Sequence, residues 1–452
     1  MSLLFLDSDV YGNAWSTPEL RAIFDERPRT RAWLEILAVL AETQAAFGLI
    51  PAADAESVAR TCREIEPEPE FLDEVRRGFE ASKHSTFGLI AAIARRCPAQ
   101  SGEWLYYGAT VQDLTDTWLM AALRDTRAIF RRDLAAIDTA LRSLAGRHRD
   151  TVMAGRTHGQ QGLPITFGFK VAGWAAEVRR HRERLAQIAE RMDVGQLAGG
   201  VGSLSSLGPK ALELQREFLR RLGLRAPQIS WTVSRDVLAE WCNLLVLVTG
   251  TADRIGHEVY NLQRSEIAEV GERPASGTVG SITMPHKQNP EIAEHLGTLS
   301  RTVRHNAAIV AEGLVNDHER DGRSWKAEWN AVPLVTIATG KALALLAEMI
   351  GNLEVHSNRM RANLDVTRGF VLSEAVMLGL AEKIGKQSAH RLVYESSMSA
   401  YETGRTLRDA VLGAPAIMAH LSIAEVESLL DYDRSIGACR AMVDRVLDDV
   451  EC

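Results

Sequence analysis

The chain has 452 residues, of which 46% are hydrophobic and 25% charged, with a formal net charge of −7. This is ordinary globular composition, enough for two or three domains of about 100–200 residues each. The acidic balance argues against a general nucleic-acid surface, which needs a basic face, but leaves room for a small local anion site.

The opening segment MSLLFLDSDVYGNAW has no positive region and too short an apolar run for a secretion signal. No stretch reaches the roughly 18–20 apolar residues of a membrane span, so the expectation is a cytoplasmic protein with no membrane partner. The five cysteines (Cys62, Cys97, Cys242, Cys439 and Cys452) are scattered and lack CxxC spacing. That pattern fits a reducing compartment and supplies no metal framework.

Proline placement marks out the helices. No proline occurs in 165–208, 228–273, 291–332 or 334–414, and each gap can hold one or more long helices. From Phe167 onward, Val171, Trp174, Ala175, Val178, Leu185, Ile188 and Met192 recur at helical steps. Arg179, Arg180, Arg182 and Arg184 fall mainly elsewhere. Residues 236–268 and 334–352 read the same way. No sustained period-two alternation appears, so strands are expected to be few and short. Long amphipathic helices of this kind bury their faces in a bundle, which an enzyme and a scaffold would share.

Four breaks interrupt the helices: Gly108–Asp113 (GATVQD), Gly155–Pro164 (GRTHGQQGLP), Gly271–Pro290, and Asn316–Trp329 (NDHERDGRSWKAEW). Each concentrates glycine, polar and ionisable residues, as do loops that carry chemistry on rigid scaffolds. The expected division is an N-terminal helical domain 1–111, a central bundle 112–354 and a C-terminal helical domain 355–452. In the third break, Asn289 can cap a helix, Pro290 suits its first position and Glu291 favours the positive end of its dipole. A helix start beside Lys287 makes a plausible carboxylate site. His318-Glu319-Arg320 lacks ligand spacing for a metal. The glycine-rich GQLAGGVGSL lacks the strand–turn–helix context of a dinucleotide or phosphate loop. No cofactor and no metal are expected.

The string Gly280-Ser281-Ile282-Thr283-Met284-Pro285-His286-Lys287-Gln288-Asn289-Pro290 resembles the G-S-S-x-M-P-x-K-x-N-P signature of the fumarase/aspartase superfamily. GRTHGQQGLPITFG, with Thr157 and His158, looks like that family's acid-bearing T-H segment. GATVQD resembles its G-A-T-S-Q-D carboxylate-binding turn, with Thr110 and Gln112 matching and Val111 in place of a serine. STPELRAIFDE and FGLIP resemble the branch containing adenylosuccinate lyase and 3-carboxy-cis,cis-muconate cycloisomerase. Together these motifs span nearly the whole chain.

The resemblance implies an all-α, three-domain fumarase/aspartase-like fold with a central long-helix bundle, and a homotetramer whose sites are shared between subunits. It implies a small dicarboxylate or tricarboxylate substrate. Ser281 would be the general base, and His158 would donate a proton to the departing group or orient the donor. His84, in EASKHSTFGLI, is a second candidate acid–base residue or a structural histidine at a helix break. Thr110, Gln112, Thr157, Lys287 and Asn289 would bind substrate carboxylate. Ile282 departs from the signature's second serine.

Within the branch, adenylosuccinate lyases carry Q-R-D-R where this chain reads Ser234-Arg235-Asp236-Val237. They carry S-A-E-R where it reads Lys326-Ala327-Glu328-Trp329. Loss of both arginines speaks against a phosphorylated nucleotide. Trp325 and Trp329 either line a pocket for an apolar leaving group or belong to the core. Three readings follow: a C–N or C–O lyase releasing fumarate from a substituted succinate, a 3-carboxymuconate-type cycloisomerase, or a silent structural relative. Retention of Ser281, His158 and Lys287 weighs against the last.

Overall fold

The computed structural model describes residues 4–273, 283, 284 and 286–449. Helices dominate. Five long ones carry the architecture: Val111–Arg147, Phe167–Gln187, Asp236–Gln263, Glu291–Glu312 and Gly322–Asn352. Their burial follows the sequence periodicity. Along Phe167–Gln187, Phe167, Val171, Trp174, Val178 and Leu185 are buried while Arg180 faces solvent. The fold is all-α and multi-domain, as expected.

Two helix boundaries differ from the expected ones. The helix expected across 236–268 stops at Gln263. Ala268 adopts a left-handed conformation with φ of 52°, and the chain folds back so that the Glu269 N–H donates to the Leu262 carbonyl at 2.9 Å. In the other case, the helix expected from 334 begins at Gly322 and carries Pro333 inside it. Proline cannot supply its backbone hydrogen bond there. Its neighbours Val332 and Val335 are fully buried, and that packing holds the helix through the defect. This helix is also long and apolar enough by composition to cross a membrane. However, 67% of its apolar window is buried in the protein, as in the core helix of a folded domain.

The contacts divide the chain into two compact units. The first comprises the residues up to Asp133, Glu183–Gly250 and Thr298–Ala344. The second comprises Leu134–Arg182, Thr251–Gly297 and the residues from Leu345 onward.

In the first unit, three of the long helices meet at one buried cation. Arg235 immediately precedes helix Asp236–Gln263. Its guanidinium donates to Asp116 of helix Val111–Arg147 at 2.8 Å and to Glu328 of helix Gly322–Asn352 at 2.5 Å. All three side chains are at most 2% exposed. Burial alone would lower the Arg235 pKa, but the charges of Asp116 and Glu328 outweigh it and hold it above its ordinary value.

The second unit contains the strands expected to be few and short. Val152–Thr157 pairs antiparallel with Gln160–Thr166, and Val270–Glu272 pairs antiparallel with Leu353–Val355. A C-terminal core of Leu364, Val376, Leu380, Val393, Leu407 and Val426 packs under the short helices that follow residue 372. Two of those helices, Leu407–Leu412 and Ile423–Leu429, start with reciprocal capping boxes, Thr406 with Asp409 and Ser422 with Glu425.

Removing the buried cation tests its structural weight. Arg235→Leu leaves Asp116 and Glu328 buried without their cation, and should cost about 3–5 kcal/mol of stability. Denaturant unfolding of the two proteins measures this. A variant within about 0.5 kcal/mol of wild type would show that the cluster does not hold the helices.

Candidate functional site

In the first unit, the site grows from the turn before helix Val111–Arg147. Tyr106 and Gly108 both have positive φ, 62° and 69°. A Cβ at Gly108 would lie 2.9 Å from both Leu207 and Ser206, so glycine is required there by conformation and by space. Asp113 then locks the turn. It accepts from the Thr110 N–H at 2.9 Å, the N-terminal half of a capping box. It also takes the N–H groups of Ala198 and Gly199, at 2.7 and 3.0 Å. The glycine-rich GQLAGGVGSL segment therefore serves as a rigid wall for this turn. Burial pushes the Asp113 carboxyl up to about 6, against the pull of the three backbone donors and Arg320.

Thr110 and Gln112 are thereby placed, in different ways. The Thr110 hydroxyl accepts from Arg320 at 2.9 Å. Gln112 is fully buried, and its amide donates to the Thr232 carbonyl at 2.9 Å and to Asp116 at 3.3 Å. Its side-chain oxygen is buried with no partner among the described residues.

Arg320 was not among the residues the sequence singled out for substrate. It lies in HERD within the fourth break, where sequence reasoning looked for metal-ligand spacing and family resemblance but gave Arg320 no role. Its position beside Thr110, with a buried Nε–H that has no partner among the described residues, makes it a cation suited to a carboxylate. His84 follows the end of helix Pro69–Ser82, is exposed, and donates its N–H to the Ser82 hydroxyl at 3.2 Å.

The second unit holds the remaining candidates. GRTHGQQGLP, expected as a loop, is a β-hairpin. Thr157 pairs with Gln160, leaving His158 and Gly159 as a two-residue turn with positive φ at both positions, 54° and 75°. That backbone twist matches the twist of the strands it joins. It presents Thr157 and His158 at an exposed tip. One step behind, Arg156 makes two bonds, 2.6 and 2.9 Å, to the fully buried Glu269. Glu269 also accepts from Asn363 at 2.8 Å.

The helix start expected as a substrate-carboxylate site is already filled. Helix Glu291–Glu312 begins where expected. However, the Glu272 carboxylate accepts its Ile292 and Ala293 N–H groups, at 3.0 and 2.8 Å. The chain's own acid has taken the place reserved for substrate. Burial pushes the Glu272 carboxyl above its ordinary value, those two donors pull it back, and Glu291 and Glu294 push it further up. Asn289 donates to Glu291 at 3.3 Å rather than capping the helix, and Lys287 is exposed. Ser281 lies outside the described residues, as do Ile282 and Pro285. Trp325 is buried and Trp329 is 37% exposed, the two rings meeting edge to face at 4.9 Å. Among the described residues, no group of three or more His, Cys, Asp or Glu side chains is arranged to hold a metal ion.

Known proteins are similar to this chain over nearly its whole length. Residues 14–304 match a family described as lyase, and residues 369–446 match the adenylosuccinate lyase C-terminus. The chain belongs to the fumarate lyase superfamily. Within that superfamily it falls in the adenylosuccinate lyase and carboxymuconate cycloisomerase branch. It is 38% identical to an N-acetyl-S-(2-succino)cysteine lyase from Dickeya dadantii, over 99% of this chain and 98% of that protein. A protein of the same name from Enterococcus italicus is 39% identical, over 98% of this chain and 96% of its own. The crystal structure of 3-carboxy-cis,cis-muconate lactonizing enzyme from Pseudomonas putida superposes with a TM-score of 0.90 at 31% identity, covering 98% of each chain.

The raised Asp113 carboxyl gives this fumarate lyase relative a measurable pH signature. A folded-state value near 6 against the ordinary 3.8 means that ionisation is disfavoured in the folded protein. The associated stability is complete below about pH 4 and is lost as pH rises through 6, by up to about 3 kcal/mol. Denaturant unfolding between pH 4 and 7 should show this decline in wild type and a flatter profile in Asp113→Asn. Parallel profiles would refute the assignment.

Proposed function

We propose that this enzyme releases fumarate from an S-(2-succino) thioether. The observation carrying this reading is the full-length identity of 38–39% to two N-acetyl-S-(2-succino)cysteine lyases. The sequence motifs pointed to nitrogen or oxygen as the leaving atom, and sulfur joins them through those relatives. The chemistry is common to all three. Ser281 takes a proton from the carbon beside one succinyl carboxylate, and the C–H electrons form the double bond. The neighbouring C–S bond breaks and the sulfur leaves with its electron pair. His158 gives that sulfur a proton, so a thioether becomes fumarate plus a thiol.

A hydrogen beside a carboxylate is a weak acid. The enolate-like charge that develops when it is removed needs donors already in place. Thr110, Thr157, Lys287, Asn289 and Arg320 are assigned to that role. Histidine suits proton delivery because it titrates near neutrality.

Fumarate formation from N-acetyl-S-(2-succino)cysteine, adenylosuccinate, argininosuccinate, aspartate and malate tests the reading. Fumarate should appear with the thioether, and Ser281→Ala should lower the rate by about 100-fold or more with the fold intact by circular dichroism. Unchanged activity in the variant would remove serine-base catalysis. A panel that yields no fumarate would shift the weight to ring closure of 3-carboxymuconate, the reading favoured by the P. putida structural likeness.

We further propose a homotetramer in which one site draws residues from different subunits. Thr110 and Arg320 belong to one compact unit, and His158 and Lys287 to the other. Mixing inactive Ser281→Ala and His158→Ala proteins after mild dissociation should restore part of the activity, because some hybrid sites receive both intact residues. No recovery, with hybrid tetramers demonstrated by mass spectrometry, would refute site sharing.

A further inference from the structure

Two residues before Gly108, the turn that carries Thr110 holds a tyrosine in a conformation better suited to glycine. Tyr106 has a φ of 62°, in the left-handed region that bulky side chains rarely adopt. Its carbonyl accepts from the Ala109 N–H at 3.2 Å, so this conformation helps to close the turn. Gly108 meets a similar demand, φ of 69°, without strain. Strained backbone of this kind persists where the surroundings hold it, and it clusters at ligand sites.

The Tyr106 hydroxyl is the part that packing does not explain, because a phenylalanine ring would fill the same space. Its oxygen is buried with no hydrogen-bond partner among the described residues, and a phenol taken from water without a partner is unfavourable. Thr86 is 1% exposed, and its hydroxyl is likewise without a partner among the described residues. It stands at the start of helix Phe87–Ala94, yet its side chain makes no capping bond, the usual task of a threonine there. Arg320 supplies a third unused group, its buried Nε–H. The other two nitrogens of Arg320 donate to neutral acceptors, the Thr110 hydroxyl at 2.9 Å and the Gly199 carbonyl at 3.4 Å. The turn bearing Arg320 is also held in place. His318 is left-handed with φ of 53°, and the Thr232 hydroxyl donates to the Glu319 carbonyl at 2.9 Å.

These groups lie within electrostatic reach of one another. Burial holds the Tyr106 hydroxyl above its ordinary pKa and the Asp113 charge raises it further, while Thr86 and Arg320 pull it down. Thr86 acts without completing a hydrogen bond of normal geometry. Asp113 is already occupied by three backbone N–H groups.

We propose that Tyr106 and Thr86 join Arg320 and Thr110 in binding a succinyl carboxylate, with the left-handed backbone at Tyr106 setting the position of its hydroxyl. All four residues belong to the first unit. A carboxylate accepts several hydrogen bonds at once, and bonds to a charged oxygen are the stronger kind. One such anion would satisfy the three groups that the fold leaves unused. The assignment rests on the reading that the enzyme releases fumarate from a substituted succinate, and it adds two hydroxyls to the succinyl end of that site.

Calorimetric titration of the full-length protein with fumarate and with N-acetylcysteine tests this without turnover. Fumarate has the two succinyl carboxylates and nothing of the departing group. Tyr106→Phe should weaken fumarate about tenfold or more, the equivalent of one hydrogen bond to a charged group, and leave N-acetylcysteine unchanged. Thr86→Val should weaken fumarate about fivefold. The urea midpoint of ligand-free Tyr106→Phe should not fall, because the hydroxyl removed has no partner to lose. Equal fumarate affinity in Tyr106→Phe, a loss confined to N-acetylcysteine, or a lowered midpoint with unchanged affinity would each overturn the assignment. Weakened fumarate binding in the variants, with no fumarate released by wild type from any succinyl compound, would support the carboxylate site and overturn the lyase reading. Fumarate release by wild type with unaltered binding in the variants would do the reverse.

Discussion

The first unit depends on the pairing of Arg235 with Asp116 and Glu328. Three helices that differ widely in sequence position each bring one charge to a point almost without solvent. Three buried charges are costly to desolvate, and only near-complete mutual bonding offsets that cost. The offset fails if any one helix slides along its axis, so the cluster fixes register as well as adding cohesion. Register matters here because Asp116 lies one turn after Gln112, and Gln112 follows the Thr110 turn. An error in the helix contacts would pass directly into the placement of Thr110 and Gln112, the residues of the proposed carboxylate turn.

The second unit solves the same problem with a different residue set. Glu269 is inaccessible to solvent and accepts from Arg156 and Asn363. Its backbone carbonyl accepts from His356, at 3.0 Å. The hairpin bearing His158 is therefore tied to the strand Val270–Glu272 and to helix Ser357–Leu364. A histidine at the tip of a two-residue turn would otherwise sweep a wide arc. The bidentate Arg156–Glu269 pair, two residues behind it, sets the direction from which it projects. Glu272 continues the same economy by satisfying the start of helix Glu291–Glu312. In the proposed site, the side chains of Lys287 and Asn289, rather than the helix dipole, would then recognise a substrate carboxylate.

Much of this was legible in the sequence because it was periodic or local. The long helices announced themselves through apolar spacing and proline gaps, and the hairpin motif through its composition, although as a loop rather than paired strands. Three glycines and a histidine in GRTHGQQG do not alternate in polarity, so pattern reasoning cannot register the pairing of Thr157 with Gln160. What escaped was non-local. Nothing in the neighbourhood of Glu272 shows that its carboxylate reaches Ile292, and nothing in HERD shows that Arg320 meets Thr110, 210 residues away. Arg235 entered the sequence reading only as part of a run that departs from Q-R-D-R, yet in the fold it is held by Asp116 and Glu328. A buried ion pair has no one-dimensional signature, since each partner alone resembles an ordinary surface charge.

The departures from the family pattern share a direction. Val111 stands where the carboxylate turn has a serine, Ile282 where the signature has a second serine, and Trp329 where adenylosuccinate lyases have an arginine. Each exchange removes a hydrogen-bonding or charged group and adds apolar surface. Val111 is buried at the start of its helix, and the Trp329 ring packs edge to face on the buried Trp325. The residues assigned to the proton transfer, Ser281 and His158, are unchanged. On the proposed reading, the step that forms the carbanion requires the same base and acid whatever departs, so Ser281 and His158 are the positions that must stay fixed, while the residues flanking them can trade polarity for apolar surface as the leaving group changes.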